Sequence, residues 1–179
     1  MPTPPPQQLS HELRQGSSPD LTRRRWILGL SLVGTAMGQI VSLYQTGIVK
    51  HLPDPPPHRL FNADKVDAST YAYKRMATPD ALIMVVSYGL TAALAGAGGA
   101  QRATESPLLP VAMGTKALID AATAVQLGRE EWQENKALCA YCQVATAISL
   151  ASVVLAVPEV LKAAQKLFGR RSQVAEVEA

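Results

Sequence analysis

Apolar and polar residues segregate along this chain into long blocks. A bilayer core of about 30 Å takes about 20 residues of helix to cross. Four windows meet that length with few or no charges: Trp26–Val49, Ala81–Ala100, Pro107–Leu127 and Ala137–Pro158. The pattern predicts an all-α integral membrane four-helix bundle. The many Gly and Ala residues suit this reading, because small residues let helices approach closely in lipid. "GAGGA", residues 96–100, reads as the fraying end of the second span, and Pro110 and Pro158 as positions that kink or end helices.

Polar segments flank the spans. Residues 1–22 are rich in Pro, Gln and Ser and predict a disordered tail. "TRRRW", residues 22–26, precedes an apolar run too long for a signal peptide, so a retained anchor helix is expected. Residues 23–160 form the membrane domain, and 161–179 a basic amphipathic tail suited to an anionic inner leaflet. Arg14, Arg23, Arg24 and Arg25 precede the first span, and Lys162, Lys166, Arg170 and Arg171 follow the last. This excess places both termini in the cytoplasm of a plasma (inner) membrane protein. The long first loop and the start of the fourth span then face the outside or periplasm.

Composition narrows the function. Hydrophobic residues make up 47%, charged residues 17% and aromatic residues 5%, with a net charge of +3. No basic stripe or stacking surface suggests a nucleic-acid partner. Glycine-rich phosphate loops, H-E-x-x-H and nucleophile elbows are missing.

The candidate chemistry is "CAYC". Cys139 and Cys142 are the only cysteines, and their i, i+3 spacing puts them on one helix face. At a helix start, free N–H groups and the dipole favour a thiolate of lowered pKa, with Asn135 as a candidate cap. Three readings stay open on the motif alone: a redox pair, two small residues packed between helices, and a zinc site with His51 and His58, whose spacing does not suit a compact Cys2His2 site. Within the third span, Lys116 and Asp120 lie one turn apart. They read as a self-compensating pair, with a proton route as the other reading.

Further segments carry a resemblance. "FNADKVDAS", residues 61–69, resembles the loop motif F-N-C-D-K-V-x-A-S of the vitamin K epoxide reductase family. "TPDAL", residues 78–82, is similar to its entry into the second helix, and "ALCAYC" to its C-P-Y-C. The resemblance implies a quinone-dependent membrane thiol–disulfide oxidoreductase with a bound quinone of ubiquinone or menaquinone type. It also implies a thioredoxin-like or other dithiol donor protein as partner. Cys142 would stand next to the quinone, and Cys139 would exchange disulfides with the donor. Ser69 would support the site, and Asp80 would occupy the place of an asparagine that hydrogen-bonds a quinone oxygen. No resident metal is implied. The family's loop cysteines are absent, with Ala63 at the usual second position. The expected relay therefore either starts directly at Cys139, or the chain is a non-catalytic membrane binding or assembly subunit that keeps the fold.

Overall fold

The computed structural model describes residues 5–177, with side chains through residue 169. Its helices are α1 (Pro6–Gln15), α2 (Pro19–Gln45), α3 (Ala63–Asp67), α4 (Asp80–Gly96), α5 (Arg102–Glu105), α6 (Leu108–Asn135) and α7 (Ala140–Val177), with a 3-10 turn at Thr70–Tyr73. Among the described residues the only strand-like pairing is a parallel bridge between Phe61 and Leu138. The four longest helices close a ring, α2 packing on α4 and α7, and α6 on α7 and α4.

Among the described residues, three helices are long and apolar enough to cross a membrane: α2, α6, and α7 over Ala140–Gly169. The fourth, α4, has 17 residues. At 1.5 Å per residue that is about 25 Å, a little short of the hydrocarbon core. Trp26, Val86, Leu118 and Val154 point outward, as side chains facing lipid would.

The helix boundaries depart from expectation for identifiable reasons. Residues 6–15, inside the tail expected to be disordered, form α1. Proline begins this helix at a position where a missing N–H costs nothing. Contacts tie it to the bundle: Glu12 Oε2 accepts the Ala100 N–H, and Arg25 donates to the Leu13 carbonyl. The first long helix starts at Pro19, capped by the Ser18 hydroxyl, and ends before Gly47, whose φ of +79° suits glycine.

"GAGGA" is an ordered turn, not a fraying end. Buried Arg24 donates to the carbonyls of Ala95, Ala97, Gly98 and Gly99. Those carbonyls lie at the end of α4, where intrahelical partners run out. Arg102, 1% exposed, adds bonds to Leu94 and Ala97 and a bidentate pair to Glu159 at 2.8 Å. α6 runs eight residues past Leu127, through nearly all of the charged segment between the third and fourth apolar windows. α7 continues through Pro158, which neither ends it nor interrupts its helical assignment. The expected tail from residue 161 is therefore helical as far as the description extends.

Close packing uses small residues. A Cβ on Gly34 would meet the Tyr88 ring at 2.9 Å, and one on Gly38 the Ala81 carbonyl at 3.1 Å. Gly34 and Gly38 form a small-xxx-small seam against α4. Gly114 does the same against Val160 of α7.

Because Arg102 and Glu159 are both buried, removing one strands the other. Arg102→Ala should cost about 3–5 kcal/mol, seen as a large fall in the thermal midpoint in detergent. The double variant Arg102→Met with Glu159→Leu should recover most of that loss. A single variant as stable as the wild type would contradict this role.

Candidate functional site

The end of the ring next to α3 holds both cysteines. Lys136, in the left-handed region at φ 51°, turns the chain out of α6. Residues 136–139 cross to α7. The loop between α2 and α4 clamps this crossing: Leu138 N–H donates to Leu60 at 2.8 Å and Asn62 N–H to Leu138 at 3.0 Å. The loop is itself stitched by carboxylates. Asp64 accepts the Leu52 N–H and pairs with His51, while Asp54 accepts the Ala63 N–H. His51 is thus engaged with Asp64, away from the cysteines.

Cys139 lies one residue before α7, and Cys142 in its first turn. Cys139 is fully buried, in an apolar cluster with Ala63, Val66, Tyr71 and Ala137. Its sulfur stands where a capping oxygen would and accepts the Cys142 N–H at 3.4 Å. Asn135 is the last residue of α6 and does not cap α7. The cap is reinforced by Glu131, whose Oε1 accepts the Cys139 N–H and whose Oε2 accepts from Gln143. Both cysteines are free thiols.

A third group joins the sulfurs. One Asp67 carboxylate oxygen and both Sγ atoms lie within 4.8 Å of one another. Asp67 is 2% exposed, and its Oδ2 is buried without a hydrogen-bond partner. Burial pushes its pKa up to about 7 against the lowering effect of a hydrogen bond with the Cys139 thiol, with nearby Asp80, Asp54 and Asp64 adding to the rise. For Cys139 the neighbouring Cys142 thiol lowers the pKa, but desolvation and Asp67 outweigh it. The net shift is upward, opposite to the lowering expected at a helix start.

Cys142 forms part of the wall of a partly open cavity of about 320 Å³ lined by α2, α4, α6, α7 and the loop residues Tyr71 and Arg75. Helical spacing supplies the walls: Asp80, Met84 and Ser87 from α4; Asp120, Ala124, Leu127 and Glu131 from α6; Cys142, Thr146 and Ser149 from α7. Asp80 is fixed at the mouth, its Oδ1 accepting from Gln45 Nε2 at 2.8 Å, while Gln45 Oε1 takes the Ala81 N–H. Arg75 leans over the Tyr71 ring and donates Nη2 to Glu130. Its Nη1 is buried with no hydrogen bond, 3.9 Å from Asp80. Deeper in, Lys116 Nζ donates to Ser87, Thr91 and Asp120. The pair is compensated, as expected, and Asp120 also faces the cavity.

Cys139, Cys142 and Asp80 therefore converge at one end of the ring. Ser69 does not line the cavity; its hydroxyl donates to the Val66 carbonyl at 2.6 Å. Arg75, Glu131 and Asp67 are the residues that sequence reasoning passed over. Glu131 had a signal: it continues the 120–124–127–131 stripe along α6. Asp67 and Arg75 had none, since loop contacts set their positions.

The sequence model of the Vitamin K epoxide reductase family matches residues 25–157, from within α2 to the residue before Pro158. A search of curated proteins gave no match to this chain.

The raised Asp67 pKa carries a sign. Between the ordinary aspartate value of 3.8 and about 7, the folded protein holds a proton that the unfolded chain has released. The stability contribution is full below that window and lost as pH rises through it. The thermal midpoint of wild type should therefore fall relative to Asp67→Asn between about pH 4 and about pH 8. A difference between the two proteins that stays constant with pH would contradict the assignment.

Proposed function

Because this chain belongs to the vitamin K epoxide reductase family, whose members are quinone-related membrane oxidoreductases, we propose that it passes electrons from a dithiol donor through Cys139 and Cys142 to a quinone. The observation that carries this reading is the position of Cys142 in the cavity wall with Cys139 beside it. A cavity of about 320 Å³ falls within the roughly 300–1,000 Å³ of small-molecule sites. The Arg75 Nη1 at its mouth makes no hydrogen bond and only a long ion pair with Asp80 at 3.9 Å, which suits donation to a quinone oxygen. Asp80 can add a second donor when protonated.

When bound, the quinone supplies a two-electron, two-proton acceptor. The chain's own residues do the rest. Cys142 presents its sulfur to the cavity. Arg75 and Asp80 orient and polarise an oxygen at the mouth, and the apolar walls exclude water. Cys139 closes the disulfide with Cys142 and later opens it with the donor, for which a thioredoxin-like protein is the best candidate. The quinone is of ubiquinone or menaquinone type.

The missing loop cysteines fit a direct route. Ala63 is buried in the same cluster as Cys139, where a loop thiol would need to reach it. Donor access to the fully buried Cys139 then requires the Leu60–Asn62 segment to move away from Leu138. The second reading, a non-catalytic binding or assembly subunit that keeps the fold, rests on the missing loop cysteines alone. The site end faces the periplasm or exterior of the plasma membrane, with both termini cytoplasmic, as the flanking Lys and Arg residues favour.

Purified protein in detergent with a small dithiol should reduce a short-chain quinone. Cys142→Ala should lower that rate at least about a hundredfold, and Arg75→Met should raise KM for the quinone about tenfold. Equal rates for wild type and Cys142→Ala would remove the enzymatic reading and leave the assembly subunit. A mixed disulfide trapped at Cys139 in the same variant would identify the donor.

A further inference from the structure

We propose that Asp67 is the proton acceptor for the Cys139 thiol, a role that rests on the redox reading of the cysteine pair. Cys139 is fully buried and reached by no lysine, histidine or arginine hydrogen bond among the described residues. A thiol there cannot hand its proton to water, yet only the thiolate attacks. The Asp67 carboxyl is the buried group beside both sulfurs. Gln45 Nε2 lies 3.5 Å from Oδ1, Oδ2 makes no hydrogen bond of ordinary geometry, and the Cys139 thiol is the carboxyl's other hydrogen-bonding neighbour. A buried carboxylate with so few partners is costly to keep charged. Proton exchange with an adjacent thiol gives that carboxylate a use.

As Cys139 attacks the Cys142 sulfur, an S–S bond forms and the Cys139 S–H bond breaks. The proton passes to the Asp67 carboxylate, the bond between the Cys142 sulfur and the oxidant breaks, and its electron pair leaves with that two-electron oxidant, a quinone or, in the experiment, diamide. When a donor dithiol reopens the disulfide, the donor is oxidised and the proton returns from Asp67 to the Cys139 sulfur. The raised affinity of Asp67 for a proton suits a carrier that must both take and return one. The charged and titratable groups facing it are Cys139, Tyr141 and Cys142 on the α7 side, Glu131 of α6, Asp80 of α4, Tyr44 of α2, and Asp54, Asp64 and Tyr73 of the loop.

The test uses no quinone. Reduced full-length protein in detergent is mixed with excess diamide, a small azo oxidant. The Cys142 thiolate adds to the N=N bond; Cys139 then displaces the hydrazide nitrogen from the Cys142 sulfur. Cys139→Ala isolates the first phase, so closure can be followed as the phase independent of oxidant concentration. In wild type the closure rate should rise with pH through an inflection near 7, as Asp67 ionises. Asp67→Asn should close at least about tenfold more slowly and lose the inflection, while Asp67→Glu should keep an inflection. An Asn variant that closes within about twofold of wild type with the same profile would overturn the proposal. If that variant fails to fold, a wild-type profile without an inflection near neutrality would do so. Normal Asp67-dependent closure in a protein that reduces no quinone would sink the quinone reading and leave this one standing.

Discussion

One buried carboxyl holds the site together. Glu131, near the end of α6, reaches across the helix–helix corner to the Cys139 N–H and to Gln143 in α7. This contact fixes the direction in which α7 leaves the corner, and so where both sulfurs stand. The N-terminus of a helix has free N–H groups and a positive dipole end. Here one is met by a carboxyl of the preceding helix and another by the Cys139 sulfur. The loop adds a second fastening through Leu138. Without the corner, Cys142 would lose its place in the cavity wall and Cys139 its place beside Asp67.

The opposite end of the ring uses the same device with the charges reversed. There the orphan groups are carbonyls at the end of α4, and buried Arg24 and Arg102 satisfy them. Cationic side chains cap carbonyls at one end, and acidic ones receive N–H groups at the other. Between the two ends the cavity is walled mainly by small and apolar side chains, with the Lys116–Asp120 pair folded onto Ser87 and Thr91. The Lys116–Asp120 pair is tolerated at membrane depth because the two charges meet each other and the Ser87 and Thr91 hydroxyls.

Much of this was legible in the sequence. The helical character of the four apolar windows, the Cys139–Cys142 pair and Asp80 at the start of α4 follow from hydropathy, spacing and motif resemblance. Boundaries were less legible, because side-chain caps set them from a distance. Arg24 orders "GAGGA" from 73 residues or more away, which no local pattern reports. "GREEWQENK" looks like loop because it is charged, yet Glu131 folds inward along the stripe begun at Asp120. The thiol of Cys139 departs from its local pattern for a similar reason. A helix start favours thiolate, but full burial beside Asp67 outweighs the dipole. Ser69 was carried by resemblance alone, and its hydroxyl turns back onto its own loop.

The central claim is that the cavity beside Cys142 receives a quinone ring. Photolabelling with a short-chain azidoquinone, followed by peptide mapping, tests it most directly. The account predicts label on the first turns of α4 and α7, around Asp80 to Met84 and Cys142 to Thr146, competed away by unlabelled quinone. Label confined to outward-facing positions such as Val86 and Val154, and insensitive to competition, would contradict it.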